Sequence, residues 1–292
     1  MKKKYIKSPL NYTGGKYKLL DDIFALVPDN VDVFYDIFGG GFNVGINAQA
    51  KKIIFNDQNT YLKEMFQYFK DNGFEKIKTE IDNIILKYQL SKENRDGYNR
   101  LRDDYNLSQS PLELFVLTCF AFNHQIRFNN NKKFNTPFGK DRSSYNVNIE
   151  NNLKEFCDQL QKKDIEFYAN DFLDFQKVNY DSNDLVYCDP PYLITTGSYN
   201  DGNRGFKDWG EKEESELLCY LDSLNEKGIK FILSNVLYHK NQQNDLLIEW
   251  AQKYNIIYID KKYNNCNYHL KDKNAKTVEV LITNIEVQDN EW

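Results

Sequence analysis

The residues that mark secreted, metal-binding or membrane proteins are scarce in this chain of 292 residues. Its cysteines are scattered, never form a C-x-x-C pair and stand at positions 119, 157, 188, 219 and 266. We therefore predict a reducing compartment, no disulfide framework and no structural zinc. The histidines also lack metal-ligand spacing, so no metal site is expected.

Long apolar runs are absent too, since none approaches the roughly 20 residues that a membrane span needs. The lysine-rich start, MKKKYIKSPLNY, has no apolar segment after it, as a secretory signal would. These two absences predict a cytoplasmic protein with no membrane partner.

An overall excess of positive charge is also missing, because the formal net charge is −5. The charge is unevenly distributed, however: residues 1–20 contain six lysines and no acidic residue. Residues 119–145 have a second basic cluster, in which only Asp141 is acidic. An acidic protein with such clusters can still present a basic face to a nucleic acid.

Seven short β-rich segments alternate with helical ones. Their apolar runs are nearly continuous, which is typical of strands buried on both faces. Residues 211–228 and 241–254 show helical spacing between them. The pattern predicts an α/β fold with a Rossmann-like, doubly wound and mostly parallel seven-stranded sheet. The predicted strands are 31–38, 51–57, 164–171, 184–189, 229–235, 255–260 and 277–284.

About a hundred residues of different character separate the second and third predicted strands. Residues 60–118 look largely helical, whereas 119–150 are polar, aromatic and rich in turns. This is too long for a connection, so we predict an inserted domain at 60–164. Residues 1–59 and 165–292 would then form the domain that contains the sheet.

Glycines follow the first predicted strand, where α/β sheets bind ligands. Gly39, Gly41 and Gly45 form G-x-G-x-x-x-G, which departs from the dinucleotide fingerprint and disfavours a nicotinamide cofactor. Asp57 and Asp171 end the next two strands, where carboxylates can accept hydrogen bonds from a ribose or an exocyclic amine. Each feature alone is more often a tight turn or a helix cap. Together they predict a nucleoside-containing cofactor.

The fourth strand ends in Asp-Pro-Pro-Tyr at residues 189–192. The exocyclic amine of adenine is a poor nucleophile, and it needs acceptors that draw its hydrogens out of the ring plane. The Asp189 carboxylate and the Pro190 carbonyl can supply this pair, and the prolines fix its direction. Tyr192 offers a ring on which the base can stack. A capped Pro-Pro turn is the structural alternative.

At these residues the chain resembles the Dam-type (D12 class) adenine-specific DNA methyltransferases, which use S-adenosyl-L-methionine. It is especially similar to the T-even phage members. The resemblance runs in the family's order over nearly the whole chain and implies a class I methyltransferase fold with a mainly helical DNA-recognition insert. It rests on D-P-P-Y and on YTGGK (12–16), DIFGGGFNVGIN (36–47), FND (55–57), YANDF (168–172) and FILSN (231–235).

The resemblance also implies roles for single residues. The catalytic residues would be Asp189, Pro190, Pro191 and Tyr192. Contacts to the cofactor are implied for Tyr12, Lys16, Asp36, Phe38, Gly39, Gly41, Asp57, Asp171, Phe172 and Asp189. Residues 122–140 resemble a base-reading β-hairpin, with DNA contacts implied for Phe122, Asn123, Arg127, Asn129, Lys132, Lys133, Asn135, Pro137 and Lys140.

The residue types of the hairpin agree with DNA binding. Arg127 suits a bidentate contact to guanine, and the lysines suit phosphates. Phe122 or Asn123 can fill the gap left by a base that has flipped out. A solvated basic loop over buried aromatic rings is the alternative.

We therefore predict methylation of adenine N6 in duplex DNA. Arg127, Asn135 and Pro137 favour GATC, although Asn11 and Gln125 depart from the bacterial Dam pattern. The alternatives are an RNA methyltransferase, a DNA-binding relative without activity and, least supported, a nicotinamide oxidoreductase. Beyond DNA, a cognate restriction endonuclease is a candidate partner, with the protein acting as a monomer or weak dimer.

Overall fold

A computed structural model of the protein describes residues 4–195, 209–259 and 277–286. Its centre is a sheet in the order β3-β2-β1-β4-β5-β8-β7, with the short β6 paired to β5. The strands are β1 (Val33–Asp36), β2 (Lys52–Asn56), β3 (Ile165–Tyr168), β4 (Leu185–Cys188), β5 (Lys230–His239), β6 (Gln242–Gln243), β7 (Asn255–Tyr258) and β8 (Val278–Thr283).

The sheet is parallel from β3 to β5, and β8 runs antiparallel to both β5 and β7. Every predicted segment contains a strand, so the predicted mostly parallel α/β sheet is confirmed. Because β8 is reversed, its amino end lies at the edge where the parallel strands have their carboxyl ends. That edge carries the candidate site.

Seven α-helices accompany the sheet in the described ranges. They are α1 (Leu20–Ala25), α2 (Thr60–Tyr88), α3 (Arg95–Ser108), α4 (Pro111–Phe120), α5 (Val147–Lys162), α6 (Glu211–Glu226) and α7 (Asp245–Ala251). Local signals set several ends: the side chain of Ser110 accepts from the Glu113 amide at the start of α4, and Gly228, with φ at 72°, follows α6.

One predicted helix is shorter than its sequence pattern. The pattern predicted a helix over 241–254, but α7 covers only Asp245–Ala251. The reason is that Gln242 and Gln243 pair with the carboxyl end of β5, which reaches His239. Pairing with a neighbouring strand outweighed local helical propensity there.

Helices on both faces bury the sheet. On one face, the ring of Phe66 from α2 lies 5.9 Å from that of Phe42 and 5.4 Å from that of Phe55, and Phe156 of α5 lies 6.3 Å from Phe42. The first part of α2 and all of α5 thus share a core with the sheet, although they belong to the segment predicted as an insert. On the other face, α6 and α7 pack over β4, β5 and β8.

Residues 121–139 form an irregular hairpin. Its arms meet in two isolated antiparallel bridges, Ala121–Phe138 and Phe128–Phe134. The hydrogen bond from the Phe122 amide to the Pro137 carbonyl, at 2.8 Å, closes its base. No helix within the described ranges is both long and apolar enough to cross a bilayer.

Candidate active site

A cleft of about 300 Å³ opens at the edge formed by the strand ends. This is at the lower end of the volumes typical of small-molecule sites. Its walls come from segments that are far apart in the sequence, namely residues 11–16, 36–41, 56–59, 125–128 and 189–192. The predicted cofactor loop, the predicted catalytic residues and the first arm of the hairpin therefore border one space.

Asp189 is anchored in this cleft by two donors. The Lys16 ammonium lies 2.9 Å from its Oδ2 atom, and the Tyr192 hydroxyl donates to its Oδ1 atom at 3.0 Å. Burial raises the pKa of the Asp189 carboxyl, while the Lys16 charge and these hydrogen bonds oppose that rise. The result is a carboxylate with a fixed orientation.

Glu279, at the amino end of β8, completes this network. Its Oε1 atom lies 3.2 Å from the Tyr192 hydroxyl and 3.7 Å from the Lys16 nitrogen. Glu279 and Asp189 therefore compete for the single hydrogen of that hydroxyl. Burial raises the pKa of Glu279 as well. Ser234 of β5 lies 3.2 Å from the same hydroxyl. Neither residue was predicted at the site from the sequence. Only the antiparallel placement of β8 brings Glu279 to this edge.

Tyr192 itself is buried, with 7% of its surface exposed. The Lys16 nitrogen lies over its ring, 5.1 Å from the centroid. Lys16 therefore covers one face of the ring on which a base was expected to stack. A base can stack on that face only if the Lys16 side chain moves.

The side chains of two aspartates accept hydrogen bonds from backbone amides of the glycine loop. The Gly40 amide donates to Asp57 Oδ2 at 2.9 Å, and the Gly45 amide donates to Asp36 Oδ2 at 2.9 Å. Gly40 has φ at 48°, and a Cβ atom on Gly39 would lie 2.3 Å from the Phe55 ring. The loop therefore needs glycine both for its conformation and for its packing.

The acidic side chains under the loop influence one another. Burial raises the pKa of Asp36 to about 7, and the nearby charges of Asp189 and Asp57 add to the effect. Burial also raises the pKa of Asp57, which the Gly40 and Asn59 amides oppose. Such a cluster favours a ligand with positive charge.

Three aromatic rings line one end of the cleft: Phe38, Phe172 and Trp209. Phe38 and Phe172 were expected there, whereas Trp209 was missed. Asp171, expected at the cofactor, is not among the residues that line the cleft. Its Oδ1 atom instead accepts from the Leu173 amide at 3.1 Å and begins a short 3-10 helix.

Arg127 lies in the first arm of the hairpin, beside the Phe128–Phe134 bridge, and lines the cleft. Its Nε atom donates to Asn135 Oδ1 at 3.2 Å, so two residues expected at DNA are paired with each other. Asn129 Oδ1 accepts from the Asn131 and Lys133 amides and closes the hairpin turn. Asn129, which was expected to contact DNA, therefore stabilises this turn.

The remaining DNA candidates are exposed. Phe122 is 40% exposed, and the Arg142 guanidinium lies 5.1 Å from its ring centroid. Asn123 beside it has φ at 53°, a strained value for a residue other than glycine. The other exposed members of the set are Lys132, Lys133, Pro137 and Lys140. Within the described ranges, no group of three potential metal ligands occurs.

Comparison with known proteins agrees with this geometry. The family model of the D12 class N6 adenine-specific DNA methyltransferases matches residues 12–265. The chain belongs to this family. The family membership inferred from the sequence is thereby confirmed.

Individual relatives show two levels of similarity. The chain is 50% identical over 280 residues to the type II methyltransferase M.FokI of Planomicrobium okeanokoites, and 51% identical over 288 residues to the modification methylase StsI of Streptococcus sanguinis. These alignments cover 96% and 98% of this chain but only 43% and 44% of the relatives. A DNA adenine methylase of Escherichia coli is 26% identical, with 84% of both chains covered.

Proposed function

We propose that this protein transfers a methyl group from S-adenosyl-L-methionine to the N6 amine of an adenine in duplex DNA. The observation that carries the proposal is the position of Asp189. This carboxylate, held by Lys16 and Tyr192, faces the same cleft as the glycine loop and the first arm of the hairpin. The residues predicted for the cofactor, for catalysis and for DNA thus border one cleft, which supports the proposal.

The cleft residues suit this cofactor. Phe38 and Phe172 would contact its adenine, and Asp57, whose oxygens each accept one amide, keeps lone pairs for the ribose hydroxyls. Tyr12 and Lys16 would hold its amino-acid part. The acidic cluster complements its positive charge. When bound, the cofactor supplies a methyl group already activated as a sulfonium.

Asp189 prepares the amine. Its carboxylate and the Pro190 carbonyl would accept the two N6 hydrogens, which frees the nitrogen lone pair for attack. The nitrogen would take the methyl group that the sulfonium supplies, with a neutral thioether as the leaving group, and would then give up one proton. Asp189 is in place to accept that proton. The Lys16 charge would oppose the rise in the pKa of this carboxyl that burial causes.

The target adenine must leave the helix, because a base inside a duplex cannot reach this cleft. We infer that the flipped base displaces Lys16 from the ring of Tyr192 and then stacks there. Residues 60–164 would act as the target-recognition domain. In it, Arg127 would read a base edge, Phe122 would fill the vacated position, and the exposed lysines would contact phosphates.

GATC is the target to test first, since the hairpin contains Arg127, Asn135 and Pro137. Asn11 and Gln125, which depart from the bacterial Dam pattern, both line the cleft. Mapping of modified adenines in DNA exposed to the enzyme would identify the site. A different motif would reject GATC and leave the proposed chemistry intact.

Two relatives are named as type II or modification methylases, so a restriction endonuclease remains a candidate partner inside the cell.

The decisive experiment compares wild type with Asp189→Ala, using tritiated cofactor and both duplex DNA and structured RNA. We expect labelled N6-methyladenine in DNA only, and no label with the variant, although the variant still binds the duplex. Wild-type turnover by Asp189→Ala would refute the mechanism. Label in RNA alone would instead support the RNA methyltransferase.

A further inference from the structure

Trp209 is the third ring of an aromatic cluster whose members are far apart in the sequence. Its ring centroid lies 5.5 Å from that of Phe38, which follows β1, and 5.7 Å from that of Phe172, which follows β3. Phe38 and Phe172 are themselves 5.5 Å apart. All three rings line the cleft, and Trp209 is only partly buried. The cluster therefore presents aromatic surface to a ligand.

A buried carboxylate fixes the orientation of this indole. Trp209 Nε1 donates to Glu214 Oε2 at 2.8 Å. The other oxygen, Oε1, accepts from the side-chain amides of Asn235 and Asn244, each at 3.1 Å. Glu214 has no exposed surface, so it tolerates burial only because these donors satisfy it. The indole cannot rotate without leaving the carboxylate short of a donor.

We propose that Trp209 forms one wall of the subsite for the adenine ring of the cofactor, and that Glu214 is the positioning residue for this wall. The inference rests on the proposed function, because it takes the cofactor to contain a purine. A purine is flat and aromatic, and it gains from stacked or edge-on contacts with such rings. Phe38 and Phe172 form the other two walls. Glu214 touches no ligand and acts only through the indole.

The chain contains a matched control for this pair. Trp250 Nε1 donates to Asp222 Oδ1 at 2.9 Å, which is the same kind of bond. Trp250 is buried in the core against Phe231 and does not line the cleft. Loss of the Asp222 carboxylate should therefore lower thermal stability and leave cofactor binding unchanged. Loss of the Glu214 carboxylate should change both.

The first test measures methylation kinetics of Glu214→Gln, Trp209→Phe, the double variant and Asp222→Asn. A glutamine at 214 presents an amide hydrogen to one of its three donors, so the indole should lose its fixed position. We expect KM for S-adenosylmethionine to rise about three- to tenfold in the first two variants, which is the size of one aromatic contact. The values of kcat and of the Kd for duplex DNA should stay within about twofold of the wild-type values, the level below which single contacts are not resolved.

The double variant separates positioning from stability. If Glu214 acts through the indole, Glu214→Gln should add nothing to KM in the Trp209→Phe background, while its effect on Tm persists. A further rise in KM there would overturn the positioning role. An equal rise in Asp222→Asn would also overturn it, because general destabilisation would then explain the result.

A second test measures binding without turnover. S-adenosylhomocysteine is titrated while tryptophan fluorescence is recorded for wild type, Trp209→Phe and Trp250→Phe. We expect a change in emission that disappears in Trp209→Phe and remains in Trp250→Phe. If calorimetry shows that S-adenosylhomocysteine binds, and the change in tryptophan emission persists in Trp209→Phe, the role of Trp209 is rejected while the proposed function stands. Absence of binding to wild type would reject the proposed function as well.

Discussion

Asp36 should make the stability of the protein fall as the pH rises. Its folded-state pKa is about 7, above the unfolded value of 3.8, because the carboxyl is buried near two other carboxylates. Between these values the folded state keeps a proton that the unfolded state has released. Stability is therefore lost progressively from about pH 4 to about pH 7 and is level above that range.

The perturbation is Asp36→Asn. The asparagine oxygen can still accept from the Gly45 amide, but the side chain carries no charge at any pH. At about 1.4 kcal/mol for each unit of pKa shift, Asp36 lowers the unfolding free energy of wild type by about 2.5 kcal/mol between pH 5 and pH 8. The unfolding free energy of the variant should not fall in this way, so the difference between the variant and wild type should grow with pH.

Urea unfolding of the ligand-free proteins at pH 5, 6, 7 and 8 measures this difference directly. Asp29→Asn provides a control for the loss of one carboxylate at an exposed position. A constant difference between wild type and Asp36→Asn at every pH would show that Asp36 does not titrate in this range.

Two further predictions concern the cleft. Glu279→Gln keeps an acceptor for the Tyr192 hydroxyl but removes the charge beside Lys16. We expect the rate of single-turnover methyl transfer to fall about tenfold, the scale of one charged hydrogen bond, while the Kd for duplex DNA stays unchanged. An unchanged rate would make Glu279 dispensable. Arg127→Ala should reduce discrimination between the target site and a site with one substituted base by about 1–3 kcal/mol, measured as a ratio of kcat/KM values. Equal losses on both duplexes would make Arg127 a phosphate contact.

Much of the fold was predictable from the chain because its signals are local. Nearly continuous apolar runs indicated the buried strands, and glycine or acidic residues at their ends indicated a ligand-binding edge. The sequence Asp189-Pro-Pro-Tyr192 indicated the catalytic acceptor in the same way. Each of these features lies within about ten neighbouring residues, a span in which periodicity and turn chemistry are informative.

The partners of these residues were decided only by the tertiary structure. The reversed direction of β8 brings Glu279 to Tyr192, and the packing of α6 against the sheet places Trp209 beside Phe38. The Oδ1 atom of Asp171 caps a short helix, a contact that its position after a strand did not reveal. Strand order and register set such contacts between distant parts of the chain, and no local pattern encodes them. The sequence alone therefore determined the family and predicted the catalytic motif, whereas the tertiary structure decided which side chains hold that motif in place.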